Sequence, residues 1–589
     1  MTKRKTKKNN PVKKQDKPGA EKNRKHISIY VLSAILLLTL AIFSSSLDND
    51  FIINWDDYEY IINNNHIKSL SIRNIKIFFS DYFVANYQPL TMLSYAVEYK
   101  FFGLNPKPFH VTNLVLHLLN IVFLFRFIYL LTEKTETAAI VALFFAVHPM
   151  HVESVSWVSE RKDVLYSFFF LGSLITYLYY VKNNRNYKYC IISLLLFFFS
   201  LLSKSAAVTL PVILVLTDYY IEGSFAKKNI PEKIPFFILS IIFGIIAVFS
   251  QKSTGATDIA PFFPLYDRIF LVSYALLFYI FKMFAPLNLS ALYFYPDKTN
   301  NLLPYGYYIA PVVVIFISWV ICKAAKFRKD MVFGVLFFLI NILPVIQIIP
   351  VGRAFAADRY TYIPFIGLFF IIGQFFSRIT DRKIYPSPKA GNIFIIILLC
   401  YTIFFSIATW NRNNVWKNSV ILWSDVIEKN PSKDQAYFAR GLAKMRSRDF
   451  QGAVADYNRA ADLNPESAGT YYSRGLVKFY MKNFQEAIRD YNRAIVLKPN
   501  YKDAYYNRGV AKYYLKDFQG AVEDYSKVIE LNPKDAQVYF NIGAVKMQMK
   551  MKKEACEDWH KSFKLGYAQA DEMIKKYCQQ IENDLQSKL

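Results

Sequence analysis

The chain has 589 residues, 53% of them hydrophobic and 17% aromatic, with 52 Phe and 43 Tyr against only 20 Gly. That balance excludes a disordered, collagenous or disulfide-stapled protein and reads as a membrane protein. The formal charge is +26, but the cations stand beside apolar runs rather than on one folded basic face, which argues against nucleic acid as a partner.

Residues Lys3 to Lys25 carry eleven Lys/Arg and two acids just before the apolar run Ile27 to Ser46. The run is too long for a signal-peptide core and has no A-x-A cleavage site, so 1–26 reads as a basic cytoplasmic tail followed by a retained first helix. Further runs near the spanning length of roughly 20 residues follow at 111–131, 138–150, 164–181, 190–203, 206–221, 235–250, 267–286, 304–322, 331–350, 361–377 and 392–409. With the first helix they make twelve candidates, and twelve crossings would return the C-terminus to the cytoplasm. Local charge disagrees: Arg378, Arg382, Lys383 and Lys389 precede the last run and only Arg412 and Lys417 closely follow it, so the last helix is expected to run outward. An odd number of crossings is then required. The run 267–286, with Arg268 and Lys282 near its ends and Pro264 and Pro286 flanking it, is the expected in-plane or re-entrant segment. The membrane part is thus expected over 27–410, with 11–12 helices and a first outer loop at 47–110.

Beyond Trp410 the composition turns polar and a repeat emerges. Pro431, Pro465, Pro499 and Pro533 are spaced by 34, as are Gly441, Gly475, Gly509 and Gly543; Ala453, Ala487, Ala521 and Ala555; and Tyr457, Tyr491, Tyr525 and Trp559. This is the tetratricopeptide period, in which small residues let paired helices approach. The segment 411–589 is expected to hold four full repeats over about 434–569, a preceding helix at 416–429 and a capping helix near 570–586. Helix positions Phe438, Tyr472, Tyr506 and Phe540 recur on the same step and suit a concave groove for an extended peptide; packing between neighbouring repeats is the other account of such a row. Cys190, Cys322 and Cys400 lie in apolar runs and Cys556 and Cys578 in the polar part, so no disulfide framework or CxxC metal spacing is expected.

Chemistry could sit at the outer membrane face. The sequence Asn54-Trp55-Asp56-Asp57-Tyr58-Glu59 places three carboxylates just after the first helix. Adjacent residues do not share a helix face, so Asp56 and Asp57 cannot both aim at one atom without a sharp turn: one would act, the other orient it or bind a cation. A helix N-cap with solvated acids is the plainer reading. His110, Asn113, His117 and Asn120 form a polar stripe at helical spacing, suited to a bundle interior or a wet cavity, with His110 at its outer end a site candidate. Seven ionisable groups then fall within sixteen residues, from His148 to Asp163. His148, His151 and Glu153 could ligate a divalent cation, the one cofactor left open, although Pro149 disturbs the spacing and hydrogen bonding accounts for them better. Lys204, in Ser203-Lys204-Ser205, and Arg359, in Asp358-Arg359-Tyr360, are expected on the same side, where cations suit an anionic lipid phosphate or simple interfacial anchoring.

Together these segments resemble the transmembrane and tetratricopeptide-repeat family of protein O-mannosyltransferases and its bacterial relatives, of the GT-C glycosyltransferase fold. The resemblance rests on NWDDYEYI at 54–61, FHVTNLVLHLLN at 109–120, FAVHPMHVESV at 145–155, Arg161-Lys162-Asp163, SKS at 203–205, DRYTYIP at 358–364 and the repeats. It implies an all-α polytopic GT-C bundle in a bacterial inner membrane, followed by a tetratricopeptide α-solenoid on the non-cytoplasmic side. It implies sugar transfer, of mannose or similar, from a polyprenyl-phosphate donor to a Ser or Thr hydroxyl of a translocated protein, with membrane lipids as surroundings. Asp56 or Asp57 would be the base, and Arg161, Lys204 and Arg359 would hold the phosphate. One departure is visible: where the family tends to have Arg before Pro-Leu, this chain has Gln88. The rival readings are a lipid-linked oligosaccharide ligase or polymerase, and a non-catalytic membrane scaffold recruiting partners through its repeats.

Overall fold

The apolar runs fold as helices because a bilayer offers no partner for a free N–H or C=O, and a helix satisfies its own backbone. The computed structural model describes residues 18–223, 229–253, 263–325, 328–346, 348, 354–380 and 388–578, in two units, Met1–Asn418 and Ser419–Leu589. Most of the basic tail, Arg382 and Lys383, and the chain beyond Cys578 lie outside the described residues.

The first unit opens with α1 (Pro18–Phe43), followed by a loop that carries two short helices, α2 (Ile72–Ser80) and α3 (Pro89–Phe102). Helix α4 (Pro106–Thr132) starts where Asn105 accepts from Lys107 N at 3.1 Å and Pro106 takes the first helical position, two local start signals acting together. Helix α5 (Thr135–Val147) is bent by 58° from the segment Pro149–Ser156, which contains α6 (Val152–Ser156). The bend falls at His148-Pro149, where proline removes a backbone donor. The remaining helices are α7 (Arg161–Lys182), α8 (Tyr187–Ser203), α9 (Leu210–Glu222), α10 (Ile234–Lys252), α11 (Leu265–Phe284), α12 (Tyr305–Ala325), α13 (Lys329–Ile342), α14 (Phe365–Ile379) and α15 (Pro388–Val415). Among the described residues seven helices are long and apolar enough to cross a membrane, or eight if the bent pair is one span; α8 and α14 are apolar but shorter. The run 267–286, expected to be in-plane or re-entrant, forms the unbroken helix α11, which is not one of the seven.

Two features fix the bundle. Helix α7 carries ionic networks at both ends: Lys162 and Asp163 at its start, and Tyr177 and Tyr180 at its end. The latter bind Glu232 at 3.2 and 2.6 Å, while Lys233 bonds Asp218 at 2.6 Å. Its 22 residues span about 33 Å, close to the roughly 30 Å of bilayer hydrocarbon. Helices α13 and α14 meet backbone to backbone: a Cβ on Gly334 would lie 2.5 Å from Gly367 O. Small residues at such crossings allow the dispersion contact that drives association in lipid. A two-stranded antiparallel pair, β1 (Tyr293–Phe294) and β2 (Ala354–Ala356), brings the chain to Asp358.

The second unit is all helical. It starts with α16 (Ser419–Lys429) and continues in four pairs: α17 (Asp434–Arg446) with α18 (Phe450–Leu463), α19 (Ala468–Tyr480) with α20 (Phe484–Leu497), α21 (Lys502–Tyr514) with α22 (Phe518–Leu531), and α23 (Ala536–Gln548) with α24 (Lys552–Lys564). Two of the 34-residue series are one contact: a Cβ on Gly441, Gly475, Gly509 or Gly543 would come within 2.6–2.9 Å of the ring of Tyr457, Tyr491, Tyr525 or Trp559. Arg440–Asp456, Arg474–Asp490 and Arg508–Asp524 ion pairs repeat in the first three pairs at 2.5–2.6 Å, and the fourth has Ile542 at the arginine position. No disulfide framework was expected, and a single bond is found: Cys556 of α24 is bonded to Cys578, just after α25 (Gln569–Tyr577), so a covalent staple holds the last described helix.

Candidate active site

Within the loop after α1 the two acids diverge. Asp57 has helical backbone angles, and a helical step turns the side chain by about 100° from that of Asp56. Asp57 is fully buried, and both oxygens are occupied: Oδ2 accepts from Ile52 N at 2.7 Å, Oδ1 from Ser159 N at 2.9 Å and from the Ser159 hydroxyl. Burial pushes its carboxyl up to about 6, against the opposing pull of those hydrogen bonds. Asp57 thereby clamps the loop to the turn before α7. Asp56 is 21% exposed, with Oδ2 3.7 Å from Lys162 Nζ. Burial also raises its pKa above the ordinary aspartate value; Lys162 and Arg359 oppose the shift, and Glu160 adds to it.

Asp56 is the edge of a chain of charges centred on Glu160. Lys162 Nζ lies 2.9 Å from Glu160 Oε1, Arg359 Nε 3.3 Å from the same oxygen, and Lys204 Nζ 3.8 Å from Oε2. Lys204 also pairs with Asp163, and Arg359 with Glu153, whose Oε2 accepts from Arg359 N at 3.0 Å. Lys204 and Arg359 are 15% and 18% exposed and Lys162 only 6%. The group thus draws on the first loop, α6, the turn before α7, the end of α8 and the segment after β2. Beside it Trp55, Trp157 and the buried Trp416 cluster, with ring centroids 4.6 Å apart for the tilted pair Trp55–Trp157 and 5.4 Å for the stacked pair Trp157–Trp416. The Arg359 guanidinium lies 5.6 Å over Trp157.

Other residues singled out from sequence stand elsewhere. Arg161 is fully buried and turned away: it bonds Glu98 at 2.6 Å, Asn113 at 3.0 Å and Phe109 O at 2.9 Å, and lies over Tyr95. With its donors engaged it is not at the cluster, whereas its neighbour Lys162 is. The polar stripe of α4 faces the bundle interior: Asn113 bonds Trp157 O, and His117 and Asn120 both reach the Tyr362 hydroxyl, at 2.7 and 3.2 Å. His110 is buried at the outer end of that stripe. His148 bonds Met283 O at 3.1 Å and accepts from Met150 N; His151 bonds Phe145 O at 2.8 Å. Among the described residues no group of three His, Cys, Asp or Glu side chains is arranged to hold a metal ion. Gln88 caps α3 and is buried, its side-chain amide without a hydrogen-bond partner among the described residues, one turn before Thr91, which donates to Ser203 O at 3.1 Å. Glu160 as the hub, Lys162 and the tryptophan cluster were not singled out as site residues from sequence; the Glu-Arg-Lys-Asp run at 160–163 was the available signal, but it does not say which way each side chain turns.

In the second unit Phe438, Tyr472, Tyr506 and Phe540 are half-buried. Each packs on an aromatic ring of its own or the following helices, and the Tyr472 and Tyr506 hydroxyls accept from Asn507 and Asn541 of the next repeat at 2.9 and 3.0 Å. Phe438, Tyr472 and Tyr506 thus pack within their own helix pair, Phe540 packs on Tyr567, and two of the hydroxyls tie one repeat to the next.

Fold and site together define an integral membrane protein with several apolar helices joined to tetratricopeptide repeats. Residues 503–535 and 422–469 match the tetratricopeptide repeat family, and 475–515 the TPR repeat family. The chain is 22% identical over 482 residues to Protein O-mannosyl-transferase F38B6.6 of Caenorhabditis elegans, covering 74% of this chain and 64% of that protein. It is 22% identical over 413 residues to Protein O-mannosyl-transferase TMTC3 of Homo sapiens, covering 64% of this chain and 44% of that one. The matches thus span less than two thirds of either relative. The crystal structure of YrrB, described as a TPR protein with an unusual peptide-binding site, matches at 18% identity over 34% of this chain and 97% of YrrB, with a TM-score of 0.26. The chain is a distant, repeat-bearing relative of the TMTC-type protein O-mannosyl-transferases.

Proposed function

We propose that the protein is a membrane glycosyltransferase that moves a sugar, mannose or a close analogue, from a polyprenyl-phosphate donor to a hydroxyl of a protein acceptor. The observation that carries the reading is the division of labour in the acidic pair: Asp57 is consumed by three hydrogen bonds, while Asp56 stays accessible beside Lys162 at the edge of a cationic cluster. The acceptor oxygen attacks the anomeric carbon as the bond from that carbon to the phosphate oxygen breaks. Asp56 takes the hydroxyl proton, and the polyprenyl phosphate leaves with the bonding electrons. Lys204 and Arg359, the more exposed cations, receive the phosphate, and Lys162 orients Asp56. The raised pKa of Asp56 suits a base that must accept a proton and later release it.

The repeats are proposed to stand on the same side of the membrane as Asp56 and to feed the acceptor. The first unit ends beside the first loop: Asn413 donates to Ile42 O at 3.0 Å, and Lys417 O accepts from Asp50 N at 2.8 Å. The Cys556–Cys578 bond suits an oxidising, extracytoplasmic compartment. The test incubates purified protein with labelled polyprenyl-phosphate sugars and candidate peptides. Transfer by the wild type that falls about 10²–10⁴-fold in Asp56→Asn at unchanged folded yield is expected; an Asp56→Asn variant as active as the wild type would remove this carboxylate from the chemistry.

A further inference from the structure

A cavity of about 480 Å³ lies in the first unit, away from the charge cluster, walled by Phe144, Phe369, Leu398 and Phe405 on α5, α14 and α15. Exposed Phe375 and Ile397 form part of its edge, so it opens sideways where acyl chains would surround the bundle. Its rim is different: Arg328, Asp330 and Arg378 line it. Arg378 pairs with Asp330, which also accepts from the Tyr220 hydroxyl at 2.8 Å. The Arg328 side chain has no ion-pair or hydrogen-bond partner among the described residues and stands at the N-terminus of α13, where helix N–H groups favour an anion. A long apolar slot with a net positive mouth matches a molecule with a hydrocarbon chain and an anionic head.

We propose that this cavity binds an anionic phospholipid, one acyl chain lying along Phe369, Leu398 and Phe405 and the headgroup phosphate resting on Arg328 and Arg378. The position separates this lipid from the sugar donor. Arg378 is 13 residues along α14 from Phe365, about 20 Å at 1.5 Å per residue, and Arg359 lies before Phe365 in the chain. A headgroup at Arg378 is therefore at the opposite end of α14 from the phosphate cations of the transfer site.

The test measures lipid retained by the full-length protein. Protein purified in mild detergent is examined by native mass spectrometry, then delipidated and titrated with phosphatidylglycerol or phosphatidylcholine. Preferential retention of phosphatidylglycerol is expected, weakened about ten-fold by Arg328→Gln with Arg378→Gln, the loss expected for removing charge-assisted phosphate contacts. Leu398→Trp, which fills the slot and leaves both arginines, should also lower retention. Equal retention of the two lipids, wild-type retention in both variants, or a polyprenyl phosphate as the lipid that responds to these substitutions would overturn the proposal.

Discussion

Replacing Asp57 by asparagine tests the division of roles in the acidic pair through stability rather than activity. The side chain is fully buried, and burial holds its folded pKa at about 6, against 3.8 for an ordinary aspartate. A carboxyl whose folded pKa is raised contributes stability that is fully present below the unfolded pKa and lost as pH rises through the folded one. Between pH 4 and pH 7 the wild type should therefore lose roughly 2 kcal/mol that Asp57→Asn, which does not titrate there, keeps. The asparagine cannot reproduce all three hydrogen bonds: its amide nitrogen must face either Ile52 N–H or the Ser159 donors, so the loop loses its register and turnover falls. Thermal unfolding followed by tryptophan fluorescence in detergent at pH 4.5, 6 and 7.5 reads the difference, with Trp55 and Trp157 close to the site. The stability gap should move in favour of the variant by a few degrees as pH rises. A gap that stays constant, or moves toward the wild type, would refute the reasoning that Asp57 is a desolvated clamp.

Other outcomes follow from single contacts. Lys204→Ala and Arg359→Ala should each raise the KM for donor about ten-fold or more and leave acceptor KM nearly unchanged, as read in steady-state kinetics with varied donor; equal effects on both substrates would return these residues to anchoring. Gly367→Ala would put a methyl 2.3 Å from Gly334 O, forcing α13 and α14 apart, so folded yield should drop with a cost of about 1–3 kcal/mol or more. Gly306→Ala, with nothing within 4 Å, should be silent in the same size-exclusion assay. A cysteine at exposed Val496 should react with an impermeant maleimide in cells whose outer barrier alone is opened, and labelling only after full lysis would place the repeats in the cytoplasm. Cys556→Ser should abolish a mobility shift between reduced and non-reduced gels that the wild type shows.

Much of this protein is written locally. The 34-residue step fixes the paired helices because one glycine and one aromatic ring must meet in every repeat, and bilayer-length apolar runs have no folded option except a helix. The acidic pair after α1 was a candidate through the family resemblance, and the run at 160–163 was visible only as a density of charge, with Arg161 rather than Glu160 or Lys162 taken from it. Which member of each does what was not legible, because a one-residue step along a helix turns a side chain by about 100° and sequence spacing does not say which face meets which neighbour. Only the assembled bundle sends Arg161 to Glu98 and Lys162 to Asp56, and seals Asp57 against Ser159 while leaving Asp56 accessible. Only the bundle makes Glu160 the meeting point of Lys162, Lys204 and Arg359, residues far apart in the chain. The Cys556–Cys578 bond depended on how α25 folds back on the last pair, a long-range approach that carries no periodic signature, whereas the repeats themselves are made of contacts that recur at a fixed step.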